Sequence, residues 1–178
     1  GYKIGLTLDG GRKANDRHRR GRRGESTYDV VVAAADLLRN NDADWGILAV
    51  IDTRNNARTV LNSLASHKPK SISLLLPHAN HSVQPADDPA AYGHWLNEAF
   101  DWYLEQEKKD FIVIPEFESL IKVLLGGRSN RESVANRDSQ ELFILPNGRY
   151  QRVDTIKSTE PGAVSTIRDI FRDPVDRL

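Results

Sequence analysis

The chain has 178 residues, enough for one domain and a fraction of another. Its 25 basic residues balance 25 acidic ones, so overall charge points to no particular partner. With no cysteine it forms no disulfide, no thiolate metal site and no cysteine-held iron–sulfur cluster. No apolar run reaches membrane-spanning length and no signal-peptide pattern opens the chain, so the expected compartment is the cytoplasm, with no membrane partner. Methionine is absent too, and the chain opens almost inside its first strand. Both are expected of a segment of a longer protein; a tag glycine on a complete protein is the alternative.

The first element is Ile4 to Gly10. Ile4, Leu6 and Leu8 alternate with Gly5, Thr7 and Asp9, which predicts a strand with one apolar and one small, polar face. Gly10 and Gly11 end it. Such a strand suits a parallel barrel, packed on helices outside and lined by polar groups inside, with chemistry at the rim of strand carboxyl ends. It also suits a half-buried strand of an ordinary sheet.

A basic run follows. Of the thirteen residues Arg12 to Gly24, seven are Lys or Arg. It can be a solvated loop, a nucleic-acid arm or a clamp for a small anion at a barrel mouth. No aromatic side chain is interleaved, which disfavours single-stranded nucleic acid. The position, at the end of the first strand, favours the clamp. Ser26 with Asp29 then forms a capping-box pattern, predicting a helix to about Arg39 with Val31, Ala34, Ala35 and Leu38 inward.

Trp45 to Asp52 reads as the second strand, Asn55-Asn56 as the cap of a second helix with Val60, Leu61 and Leu64 inward, and Ser71 to His78 as the third strand. Pro69 stops the helix between them. Strand, helix, strand, helix, strand implies parallel strands whose carboxyl ends, Asp9, Asp52 and His78, share one edge. Asp9 and Asp52 also fit as loop caps, and His78 as a side chain bonded to backbone.

Asp88-Pro89 starts another helix. Its stripe of Tyr92, Trp95, Leu96, Ala99, Phe100 and Tyr103 reads as core. Phe111 to Ile114 is a short extended run. A further apolar helix covers roughly Phe117 to Leu125 and ends at Gly126-Gly127. Arg128 to Gln140 is polar and expected to be mobile. Leu142–Leu145, Pro146-Asn147-Gly148 and Arg149–Val153 predict a hairpin, with positive φ expected at both Asn147 and Gly148. A short helix is expected near Ser165 to Phe171. The pattern changes near residues 128–140, dividing the chain into 1–127 and 128–178.

Several segments resemble a known family. Ile4–Gly10 followed by Asp16-x-x-Arg19 is similar to the fourth barrel strand and following loop of radical SAM enzymes of the SPASM group. Asp16–Arg20, Leu75–Ala79, Phe117–Ser129 and Asn147–Ser158 resemble its FxsB-type, cyclophane-forming peptide maturases. The similarity runs from about Ile4 to Asp173. It implies an α/β fold with a parallel (β/α) partial TIM-like barrel, strands four to six, with extra helices and a C-terminal β-hairpin. Residues 1–127 would be that barrel and 128–178 the start of a SPASM-like extension.

The resemblance also implies a role. The full enzyme would use S-adenosyl-L-methionine (SAM) and a [4Fe–4S] cluster to abstract a hydrogen from a ribosomally made precursor peptide and close a carbon–carbon cross-link. This chain lacks the cluster cysteines, can hold no cluster and is expected to be inactive alone. Cofactor-contacting candidates are Thr7 for the ribose, Arg19 for the methionyl carboxylate, Asp16 to orient Arg19, and Asp9, Asp52 and His78 on the rim. No catalytic residue is assigned, and no metal site. Expected partners are the precursor peptide and either the missing N-terminal half of the barrel or a second copy. The alternative is a non-catalytic relative that binds a peptide or protein.

Overall fold

The computed structural model describes residues 2–79, 88–107, 111–129, 131, 134, 142–152, 162 and 164–174. By internal contacts the chain divides into two compact units, Gly1–Pro77 with Ala86–Val134, and His78–Pro85 with Ala135–Leu178.

In the first unit, apolar alternation builds a sheet. β1 (Ile4–Thr7), β2 (Trp45–Val50) and β3 (Ser71–Leu75) lie side by side in chain order. Both pairings are parallel, with Leu6 opposite Ile47 and Ile47 opposite Ile72. The predicted strand–helix–strand order is thus observed, with each strand ending a few residues before the polar tip that the sequence offered. The extended run at Phe111–Ile114 continues the sheet: Ile72 N donates to Val113 O at 2.9 Å and Val113 N to Lys70 O at 3.2 Å. Gln106 holds that run in place, its side-chain amide bonding both the N–H and the carbonyl of Ile112.

One sheet face is covered. Trp45, Ile47, Ala49, Ile51, Ile72 and Leu74 are buried in a core shared with helices. These are α2 (Tyr28–Asn40), α3 (Ala57–Ala65), α4 (Pro89–Leu104) and α5 (Pro115–Leu124); the four-residue α1 (Arg12–Asn15) precedes them. α3 contributes Val60, Leu61 and Leu64, and α4 contributes Trp95, Ala99 and Tyr103, as their helical spacing requires. The other face carries Thr7, Leu48 and Leu75, all exposed. Among the described residues, then, the sheet has helices on one side.

Local signals fix most helix ends. Asn56 caps α3, its Oδ1 accepting from Thr59 N at 3.0 Å, and Asp88 caps α4, accepting from Ala90 N at 3.0 Å. Gly126 and Gly127 close α5 by donating to the Val123 and Lys122 carbonyls. At α2 the expected capping box does not form. Ser26 precedes the N-cap Thr27 and its hydroxyl bonds Asp16, while Asp29 pairs with Arg12. The guanidinium of Arg12 competes successfully for the carboxylate that would otherwise reach back.

The second unit contains β4 (Phe143–Ile144), β5 (Arg149–Gln151) and β6 (Ser165–Asp169), all antiparallel. The predicted hairpin is present, but its turn differs. Only Gly148 has positive φ, +80°, and the Leu145 carbonyl accepts from Gly148 N while Leu145 N donates to Arg149 O. This is the three-residue loop with a glycine bulge, and Pro146, with its φ held negative, favours it. The helix expected near Ser165–Phe171 is instead β6. Its Thr166 hydroxyl bonds the Tyr150 carbonyl at 2.6 Å, so a β-branched run is drawn into the sheet. Most of 128–140, including its expected mobility, lies outside the described residues.

One buried group leaves a pH signature. His67 follows α3, lies edge-on to Tyr28 with ring centroids 6.5 Å apart, and its Nε2 has no hydrogen-bond partner among the described residues. Burial pulls its pKa below the ordinary 6.5; Asp36 opposes that shift and Arg39 adds to it. A lowered folded value means that the neutral ring is the stable one. Its contribution is complete above about 6.5 and is lost as pH falls through the folded value. Thermal unfolding of the wild type should therefore lose ground below that pH, and His67→Phe, which keeps the ring contact, should flatten this segment of the curve. Parallel curves for both proteins would place the acid sensitivity elsewhere.

Candidate functional site

The site grows from the end of β1. Leu8 N still donates to Leu48 O at 3.1 Å, and Asp9 then substitutes its side chain for backbone pairing. Its Oδ1 accepts from Val50 N at 2.9 Å and its Oδ2 from Arg19 Nε at 2.6 Å, with the residue only 6% exposed. Gly10 follows at φ +127°, a conformation side chains rarely adopt, and the chain turns into α1.

The loop that carries Arg19 back is ordered by polar contacts. Asn15, fully buried, accepts from Asp9 N and donates to Thr27 Oγ1, both at 3.4 Å. Its carbonyl accepts from Arg19 N, and Thr27 Oγ1 donates to Arg19 O. A small hairpin comes next, with Arg20 bridged to Ser26 and the Arg20 guanidinium bonding the Asp16 and Gly24 carbonyls. The basic run is therefore a built structure. Asp16 does not orient Arg19 as the resemblance implied. Its Oδ1 accepts from Ser26, and Asp9 takes the orienting role because its carboxylate stands beside the Arg19 Nε.

Asp52 forms a second hub. Its Oδ1 accepts from Arg54 N at 3.1 Å and Arg54 Nε at 2.8 Å. Its Oδ2 lies 2.8 Å from Arg54 Nη2, 2.7 Å from Arg17 Nη1 and 3.2 Å from His18 Nε2. Burial pushes the carboxyl pKa up, but the hydrogen bonds from Arg54, Arg17 and His18 outweigh it and hold the group well below the usual carboxylate range.

Between the two hubs lies a cavity of about 500 Å³, lined by Asp9, His18, Arg19, Val50, Ile51, Asp52, Arg54, Pro77 and Tyr92. Two of the three rim residues expected from sequence, Asp9 and Asp52, thus meet at the strand carboxyl ends. His78 does not line the cavity; it is exposed and groups with the second unit. β3 stops at Leu75, and Pro77 takes the lining position instead. Thr7 is exposed, opposite Leu48 in the register, and is not among the lining residues. Sequence reasoning missed Arg54, His18 and Tyr92. The Asp52-x-Arg54 spacing was a usable signal, whereas Tyr92 was hidden in a stripe that reads as core. Among the described residues, no cluster of three His, Asp or Glu could hold a metal ion, and no helix is long and apolar enough to cross a membrane.

A parallel sheet with a charged rim cavity is a nucleotide- or substrate-binding arrangement of α/β enzymes. Comparison with known proteins narrows it. No family model matches the chain. It is 28% identical over 142 residues to a cysteine-type anaerobic sulfatase-maturating enzyme of Clostridium perfringens, covering 72% of this chain and 37% of that one. A serine-type anaerobic sulfatase-maturating enzyme of Klebsiella aerogenes is 37% identical over 51 residues, 29% of this chain and 13% of the relative. The solved structure "Native anSMEcpe with bound AdoMet and Cp18Cys peptide" superposes with a TM-score of 0.71 at 20% identity, over 86% of this chain and 45% of the other. "Native anSMEcpe with bound AdoMet" gives 0.65 at 19% identity, over 86% and 44%. The chain is homologous to part of an anaerobic sulfatase-maturating enzyme, and it spans well under half the length of the relative from Clostridium perfringens.

The Asp52 hub generates a test. A depressed folded pKa contributes stability that is complete above the ordinary value of 3.8 and lost as pH falls below it. Asp52→Asn should lower stability in urea at pH 7 by about 1–3 kcal/mol, leaving donors unpaired, and the difference should shrink toward pH 3. An equal deficit at both pH values would show that the hub is not the acid-labile element.

Proposed function

We propose that this chain is the SAM-binding sector of a radical SAM peptide-modifying enzyme, acting in the cytoplasm on a ribosomally made peptide. The observation that carries the reading is the Asp9–Arg19 pair on the cavity wall, at the carboxyl end of a parallel strand. The homology to a peptide-modifying maturase supports it.

The residues present fit a bound SAM. Arg19 donates its Nε to Asp9, and its terminal nitrogens have no recorded partner among the described residues, so a two-pronged grip on a carboxylate remains available. Asp9 acts as a positioning residue, since its two oxygens already hold Val50 N and Arg19. The exposed hydroxyl of Thr7, on the sheet face that the helices leave open, suits a ribose. Tyr92, Val50 and Pro77 supply apolar wall against which a base or a methionyl chain can pack. In this reading the sheet and its loop are part of a (β/α) barrel whose remaining strands lie in the rest of the enzyme.

SAM supplies radical chemistry only when an iron–sulfur cluster reduces it, and a chain without cysteine does not fit that cluster. The chain's own work is to bind, orient and shield. The carbon–carbon cross-link implied by the FxsB-type resemblance is our reading of the product; mass spectrometry of a peptide treated with the complete enzyme distinguishes it from oxidation of a single side chain.

Two outcomes are expected. Titration calorimetry should detect SAM binding by the isolated chain, weakened about tenfold by Arg19→Gln and less by Thr7→Val. The chain incubated with iron, sulfide and dithionite should not cleave SAM. Unchanged affinity in Arg19→Gln, or cleavage by the isolated chain, would refute the assignment.

A further inference from the structure

The end of β3 repeats an arrangement seen at the end of β2. Val113 N donates to Lys70 O and Ile72 N to Val113 O, a parallel ladder whose next step would bring Leu74 N to the carbonyl of Pro115. Pro115 instead opens α5, so the chain turns away and leaves an N–H on β3 without a strand partner. Glu116, the next residue, takes it: Leu74 N donates to Glu116 Oε2 at 3.2 Å. Glu116 Oε1 accepts from Arg131 Nη2.

Asp9 does the same for β2, with Val50 N on one oxygen and Arg19 on the other. In both places an acidic side chain just past an extended run replaces a carbonyl that the run no longer offers. A guanidinium from a later loop then holds the second oxygen. Glu116 does not itself line the cavity, but the chain it holds leads directly to residues that do. The carbonyl of Leu75, the residue after Leu74, accepts from Ile51 N at 2.8 Å. Ile51 and Pro77 both line the cavity, together with Asp9 and Arg19.

We infer that Glu116, braced by Arg131, is a positioning residue for the cavity wall. It fixes the end of β3, from which Pro77 reaches the cavity and against which Ile51 is seated. Its effect on a ligand rests on the SAM-binding reading above; its effect on the wall does not. Glu116→Gln keeps an acceptor for Leu74 N and loses the charge, whereas Glu116→Ala loses both.

The test combines amide hydrogen exchange and amide chemical shifts of the ligand-free, isotopically labelled chain with calorimetric titration of SAM. In Glu116→Ala, exchange at Leu74 should quicken about tenfold, the Ile51 amide should shift, and SAM affinity should fall about fivefold. Glu116→Gln should restore protection at Leu74 and the wild-type Ile51 signal, and bring affinity back to within about twofold of wild type. A lower urea midpoint with Ile51 and the affinity unmoved would mark a merely structural role and overturn the inference. So would a change confined to Leu74, or equal effects of the two substitutions. If Glu116→Ala does not fold, Arg131→Gln carries the comparison: it releases the carboxylate and should move Leu74 and Ile51 in the same direction by less, and an unmoved Ile51 would again overturn the role. An Ile51 shift in a chain that binds no SAM would keep the positioning role and remove the cofactor reading; SAM binding with Ile51 unmoved would do the opposite.

Discussion

The whole rim depends on the two oxygens of Asp9. Where β1 stops pairing, the backbone N–H of Val50 would be left without a strand partner, and Asp9 Oδ1 takes it. The same carboxylate turns Oδ2 to Arg19, ten residues on. A buried acceptor on a backbone N–H and a buried charge on a guanidinium are each expensive to leave unmet. Meeting both with one side chain couples the end of the strand to the placement of the loop. Asn15 makes that coupling stiff. It is fully buried and reads both sides, the Asp9 backbone and the Thr27 hydroxyl that in turn holds Arg19 O. Strand end, helical turn and guanidinium are therefore one mechanical unit.

The even overall charge is unevenly distributed along the chain. The basic run divides its cations among distinct duties. Arg12 lies over Tyr28 and pairs with Asp29, Arg17 and Arg19 go to the two cavity carboxylates, and Arg20 binds backbone carbonyls. Lys13, Arg22 and Arg23 stay exposed, with no side-chain partner among the described residues. Cations on the cavity wall act at close range in a partly enclosed space, where they attract an anion more strongly than exposed ones do. Composition alone hides this, because the compensating acids are spread over the rest of the chain.

How much was legible in advance follows the range of the forces involved. Strand and helix positions came through because they rest on periodicity: Trp45, Ile47 and Ala49 inward on β2, and Val60, Leu61 and Leu64 inward on α3. Asn56 and Asp88 capped as expected because each acts within its own turn. The failures all involve a competitor from elsewhere in the chain. Ser26 met Asp16 and Asp29 met Arg12 before a capping box could close. Ser165–Asp169 had weak helical periodicity and an open strand, β5, beside it. His78 lost the rim to Pro77 because β3 ended sooner than its apolar run. The aspartates were legible as rim residues, but not their work, since a carboxylate's partners are set by tertiary contacts that no local pattern records.

That work also bears on where the reactive chemistry resides. The two carboxylates lining the cavity are engaged on both oxygens, Asp9 by a backbone N–H and Arg19, Asp52 by two arginines and an imidazole. Neither is poised to exchange a proton with a substrate, and the Asp52 carboxyl is pulled far from the range in which a general base operates. His18, on the same wall, has its Nε2 between Arg54 and Asp52. A cavity whose described carboxylates are both employed in holding cations is organised for recognition. Under the proposed SAM-binding reading, substitutions on this wall should register first in binding and in the geometry of approach.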